Sequence, residues 1–106
     1  MSLDIHTDYN HEKHMWMMDL TGEIDIYTAN TLKESLTKIL DERNENIRIN
    51  CLELQYIDST GLGVLIGILK KLKKNDKNII IANPRSNISK LLQITGLNKI
   101  FIIEGE

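Results

Sequence analysis

Between the apolar segment that ends in Tyr56 and Ile57 and the run "LGVLIGILKKLKK" lie Asp58, Ser59, Thr60 and Gly61: an acid, two hydroxyls and a glycine in succession. At the start of a helix, such side chains accept hydrogen bonds from first-turn N–H groups that have no partner within the helix. A hydroxyl there can also carry a phosphate, because the positive end of the helix dipole favours a dianion. On these residues alone, cap and modification site are both open.

Other chemistries fit less well. "GLGVLIG", residues 61–67, follows a strand and opens a helix, but Ile66 stands where the dinucleotide fingerprint G-x-G-x-x-G needs its third glycine. The phosphate-loop pattern G-x-x-x-x-G-K-[ST] is absent. Gly63 and Gly67 therefore read as residues that allow close helix packing or close approach by a partner. Ser59 lacks the preceding G-x of a G-x-S-x-G nucleophile elbow. His6, His11 and His14 share one hairpin and read as solvated residues rather than metal ligands. Cys51, the sole cysteine, sits in "IRINCLEL" as a buried strand thiol without a disulfide partner. The expectation is a protein that is not an enzyme and has no cofactor or metal of its own. A second polar cluster, "TGEIDIYTAN" at residues 21–30, admits turn and cap chemistry as readily as a site, which leaves the role of Asp25 open.

The elements around these clusters follow from periodicity. Leu3, Ile5, Thr7 and Tyr9 alternate with polar residues, as do Trp16, Met18 and Leu20 with their neighbours, so the N-terminus reads as a hairpin that residues 21–23 end. Ala29, Leu32, Leu36, Ile39 and Leu40 then recur at helical spacing, with Thr28 as N-cap. Residues 47–54 read as a strand, and Leu62, Leu65, Ile66, Leu69 and Leu72 give the next helix a wide apolar stripe before the lysines at its negative end. Residues 79–82 are a short apolar run of the kind covered on both faces. A third helix begins near Ser86, with Gly96 as its C′ glycine, and "KIFII" forms a last strand. Strands alternating with helices imply right-handed crossovers. The expected fold is α/β: one domain over residues 1–106, with a mixed, mostly parallel sheet, an N-terminal hairpin and about three helices.

Bulk properties narrow the partners. A chain of 106 residues, 42% hydrophobic, holds one modest core. A formal net charge of -2 with 13 Lys and Arg gives no basic field for nucleic acid or an anionic membrane. The first residues have no apolar segment of the signal-peptide kind, and no greasy run approaches the roughly 20 residues needed to span a bilayer. A cytoplasmic protein with a protein or small-molecule partner is expected.

In order along the chain, "TGEIDIYTANTLKESL", "YIDSTGLGVLIG" and "LLQITGLNKIF" closely resemble the anti-sigma factor antagonists of the STAS family. The resemblance spans residues 21–101 and leaves the hairpin largely outside. It implies partner switching in bacteria. The unphosphorylated antagonist binds an anti-sigma factor that is also a serine kinase, and so releases a sigma factor for transcription. Phosphorylation of the serine after the aspartate in D-S-[ST]-G, here Ser59, ends that binding, and a metal-dependent serine phosphatase of the PPM type restores it. ATP and Mg²⁺ belong to these partners. By the same resemblance Asp25, Ile26, Tyr27 and Thr28 lie beside Ser59 and help dock the kinase, with Asp58, Thr60, Gly61, Leu62 and Gly63 as further contacts. "GEIDIYTA" looks more like the general-stress branch than the sporulation branch. The alternative function is a STAS subunit of another assembly, without a sigma factor.

Overall fold

The computed structural model describes residues 2–105. The strands and helices run β1 (Leu3–Asn10), β2 (Met15–Ile24), α1 (Ala29–Glu42), β3 (Asn46–Ile57), α2 (Ser59–Lys73), β4 (Ile79–Ala82), α3 (Ser86–Ile94), a 3₁₀ turn (Leu97–Lys99) and β5 (Ile102–Glu104). The sheet order is β1-β2-β3-β4-β5, with β1 antiparallel to β2 and every other pairing parallel. This is the expected mixed α/β fold with its N-terminal hairpin.

Alternation along each strand decides which face is buried. Trp16, Ile47 and Ile79 stand side by side, as do Met18, Ile49 and Ile81 in the next row, and all six are buried. Leu32, Leu36 and Ile39 from α1, Leu65, Leu69 and Leu72 from α2, and Ile88 and Leu92 from α3 join them in one core. The other face is open. Arg48 and Ile80 are half-buried, Ile102 is exposed, and the face is mixed, with an Arg48–Glu104 ion pair and an Asn50 Nδ2 to Asp19 Oδ1 hydrogen bond among its polar groups. The expectation that β4 is covered on both faces is thus corrected at Ile80.

Three boundaries also differ from the sequence reading. β2 does not stop before Thr21; it runs to Ile24 through register shifts at Asp19/Thr21 and Gly22/Glu23. Gly22, at φ 116°, supplies backbone geometry that a side chain would oppose, and it lets the strand re-aim without ending. β3 likewise extends past Leu54 to Ile57, and Ile24 pairs with Ile57. At the C-terminus, residues 97–99 coil into the 3₁₀ turn and Phe101 plugs into the core, so the last strand keeps only three residues. Gly96 takes the left-handed conformation (φ 75°) expected of a C′ glycine. In α2, Ile68 is fully in the core while Ile66 lies at its margin.

The ends of β2 and β3 remote from Ile24 and Ile57 are tied down by the hairpin. Trp16 Nε1 donates to the Arg43 carbonyl, and the Arg43 guanidinium lies 4.4 Å from the Tyr9 ring centroid. Tyr9 Oη donates to Glu45, whose carboxyl is held below its ordinary range chiefly by a hydrogen bond from Lys77. Cys51 is buried, and desolvation pushes its thiol up to about 12.

The glycines of α2 divide in role. A methyl on Gly61 would lie 2.5 Å from Ile24 Cγ2 and 2.7 Å from Ile57 Cγ1, whereas one on Gly63 or Gly67 would meet nothing within 4 Å. Gly61→Ala is expected to lose about 1–3 kcal/mol of stability through overpacking, despite the helix-propensity gain. Gly67→Ala should gain about 0.5–1 kcal/mol. Thermal melting of the two variants checks these opposite signs, and a stabilised Gly61→Ala would show that the contact is softer than the geometry implies.

Candidate functional site

Because Ile24 and Ile57 are paired, the residues that follow them, Asp25 and Asp58, begin two adjacent loops at one end of the sheet. The Asp58 N–H donates to the Ile24 carbonyl at 3.1 Å and ties the loops together. They lie beyond the carboxyl ends of parallel strands, where open α/β sheets place their sites.

Asp58 is the N-cap of α2: its Oδ1 accepts from the Gly61 N–H at 3.1 Å and also from the Thr60 hydroxyl. The Thr60 bond, then the Gly61 bond, holds the Asp58 carboxyl below its ordinary range, so it is a carboxylate at neutral pH. Thr60 is thereby occupied in the cap. Ser59, the first residue of the helix, is exposed, and its hydroxyl has no hydrogen bond among the described residues. It is the free nucleophile-sized group of the cluster, at the positive end of a 15-residue helix.

The other loop is built by Asp25. Its side chain is buried at 7% exposure, and Oδ1 accepts from the N–H groups of Tyr27 at 2.8 Å and Thr28 at 3.1 Å. The Thr28 hydroxyl accepts from the Asp25 N–H and donates to the Glu23 carbonyl. Thr28 is the N-cap of α1, as expected, but its side chain makes no cap hydrogen bond; it braces the loop, and Asp25 satisfies the N–H groups entering the helix. This bracing thrusts Ile26 and Tyr27 outward, at 69% and 84% exposure. Large apolar side chains so exposed on a rigid turn are suited to contact with another protein.

The residues expected at the site thus divide by burial. Ser59, Thr60, Gly63, Ile26 and Tyr27 are exposed, and Asp58 is partly so. Asp25 and Thr28 are buried and position their neighbours. Gly61 and Leu62 are buried, Gly61 against Ile24 and Ile57, and leave little surface for a partner. Tyr56, not among the residues expected at the site, pairs with Glu23 beside the two loops and is 44% exposed. Its only signal was a large aromatic just before the acid.

Among the described residues, no helix is long and apolar enough to cross a membrane. Residues 6–105 match the STAS domain family. An anti-sigma-B factor antagonist of Staphylococcus epidermidis is 37% identical over 100 residues, covering 94% of this chain and 91% of that protein. An anti-sigma factor antagonist from Mycobacterium paratuberculosis shares the fold at TM-score 0.81 and 21% identity, over 99% of this chain and 87% of that one. The Bacillus protein SpoIIAA does so in its phosphorylated form, at TM-score 0.73 and 21% identity over 97% and 93% of the two chains. SpoIIAA in its unphosphorylated form matches at TM-score 0.80 and 20% identity over 97% and 90%. With its two loops joined at Ile24 and Ile57 and a family match over nearly its whole length, this chain belongs to the STAS domain family.

Proposed function

We propose that this protein is an anti-sigma factor antagonist controlled by phosphorylation of Ser59. Its unphosphorylated form binds an anti-sigma factor that is also a serine kinase, and so frees a sigma factor. The observation that carries this reading is the free, exposed Ser59 hydroxyl at the start of α2, one loop away from the outward-facing Ile26 and Tyr27. The Staphylococcus relative, named for antagonism of an anti-sigma factor, supports it.

The physics is that of a surface switch. Phosphate on Ser59 adds about -1.5 to -2 charge at neutral pH beside the Asp58 carboxylate. A partner fitted to this surface then faces a dianion it must desolvate, and like charges at an interface are costly. The α2 dipole stabilises the same phosphate within the protein, so no refolding is required. A PPM-type serine phosphatase removes the group and restores binding, and the cytoplasm is the compartment where all these partners meet. The chain acts as substrate and ligand, and the chemistry belongs to kinase and phosphatase.

Incubation with the cognate kinase and Mg²⁺-ATP, followed by mass-spectrometric mapping, should place one phosphate on Ser59. Phosphate on another residue, or undiminished labelling of Ser59→Ala, would remove the assignment.

A further inference from the structure

One of the concave surfaces of the protein adjoins Ser59. A groove of about 410 Å³ between α1 and α2 begins at Thr60, next to Ser59, and follows α2 to Lys71. Thr60, Gly63, Gly67 and Lys71 fall at intervals of three or four residues, so they form one continuous face of the helix, with Val64 at its margin. Lys33 of α1 stands on the opposite wall.

Two properties of this groove are not accounted for by contacts inside the molecule. Gly63 and Gly67 are exposed, and the space a side chain would take there is empty, so neither glycine serves packing between α1 and α2. Each nonetheless weakens the helix that carries it. Lys33 and Lys71 are exposed and have no ion pair or hydrogen bond among the described residues. The floor is therefore shallow and apolar, with an unpaired cation on α1 and another towards the C-terminal end of α2.

We infer that this groove is a second docking surface for the anti-sigma factor kinase, taking an apolar segment of that partner flanked by carboxylates that meet Lys33 and Lys71. The inference rests on the reading of Ser59 as the kinase's target. Continuity argues for this occupant, since Thr60 belongs both to the Asp58 cap beside Ser59 and to the groove wall. The absent side chains let the partner's backbone come close to α2, and the lysines set its register by charge complementarity. A nucleotide fits poorly, because no phosphate-cradling loop adjoins the groove. Docking here holds the kinase beside Ser59 without touching the reacting hydroxyl, so its loss should be felt in binding and not in the chemical step.

The test uses full-length protein and the purified kinase of the same bacterium. Gly67→Leu fills the floor with a good helix former, and Lys71→Glu reverses one rim charge; thermal melting should show both variants folded. Calorimetry should show binding weakened by about tenfold for Gly67→Leu. Lys71→Glu should bind several-fold more weakly at low salt, with the deficit shrinking as salt is added. In phosphorylation assays KM should rise for both while kcat stays unchanged. If the kinase binds the parent and phosphorylates Ser59, but treats both variants like the parent, the groove assignment is overturned and the Ser59 reading stands. A parent protein that is neither bound nor phosphorylated overturns both. A concentration-dependent dimer abolished by Gly67→Leu would assign the groove to a second copy of this chain and overturn the kinase as its occupant.

Discussion

Phosphorylation of Ser59 is expected to weaken binding to the proposed anti-sigma factor partner about a hundredfold, and Ser59→Asp about tenfold, whereas Ser59→Ala should bind like the parent. The ranking follows from charge and bulk. A phosphate brings nearly two negative charges and three oxygens to a surface that already holds the Asp58 carboxylate, whose bonds to Thr60 and Gly61 keep it ionised. Aspartate supplies one charge and less volume. Alanine removes a hydroxyl that has no hydrogen bond among the described residues, so it takes nothing from the fold. Isothermal titration of the four species against the anti-sigma factor gives the ranking directly. Equal affinity of Ser59→Asp and Ser59→Ala would refute the charge argument, and a large loss of thermal stability on phosphorylation would refute a switch confined to the surface.

Asp25→Ala should cost both stability and binding. The lost carboxylate accepts from two backbone N–H groups. Removing an acceptor of this kind costs about 1–2 kcal/mol, of which the solvent-exposed Tyr27 recovers part by bonding to water. In a domain of this size that is a fall in Tm of roughly 4–8 °C per kcal/mol. Binding falls because Ile26 and Tyr27 lose the turn that presents them. Asp25→Asn keeps an acceptor oxygen and should recover most of the stability, so comparison of the pair separates geometry from charge. Normal melting and normal affinity in Asp25→Ala would mean that the loop is held by the Thr28 hydroxyl and the backbone alone.

Much of this architecture is legible in the sequence because it is local. The alternation in the hairpin, the stripes of α1 and α2, the αL glycine at position 96 and the acid–hydroxyl cluster before α2 all appear where periodicity and cap chemistry put them. What the sequence conceals is non-local. Nothing in the spacing of "TGEID" and "YIDST" shows that Ile24 and Ile57 are opposite one another, since that register depends on shifts around Gly22 that look like the end of a strand. The site is assembled by that pairing. Burial was equally hidden: Gly61 and Gly63 are two residues apart in the same motif, yet one is wedged against two isoleucines and the other faces open space. Lys33 gives no sequence signal at all, because an unpaired lysine on a helix reads as ordinary solvated charge.

The burial of Cys51 bears on what kind of information the protein can carry. With its thiol pushed up to about 12, this cysteine has almost no thiolate at the pH of a cell, and the strand encloses it. Peroxide and disulfide exchange act on exposed thiolates, so neither has a handle on the chain's only cysteine. An oxidising environment therefore leaves this side chain a thiol, and the core packed around it keeps its composition.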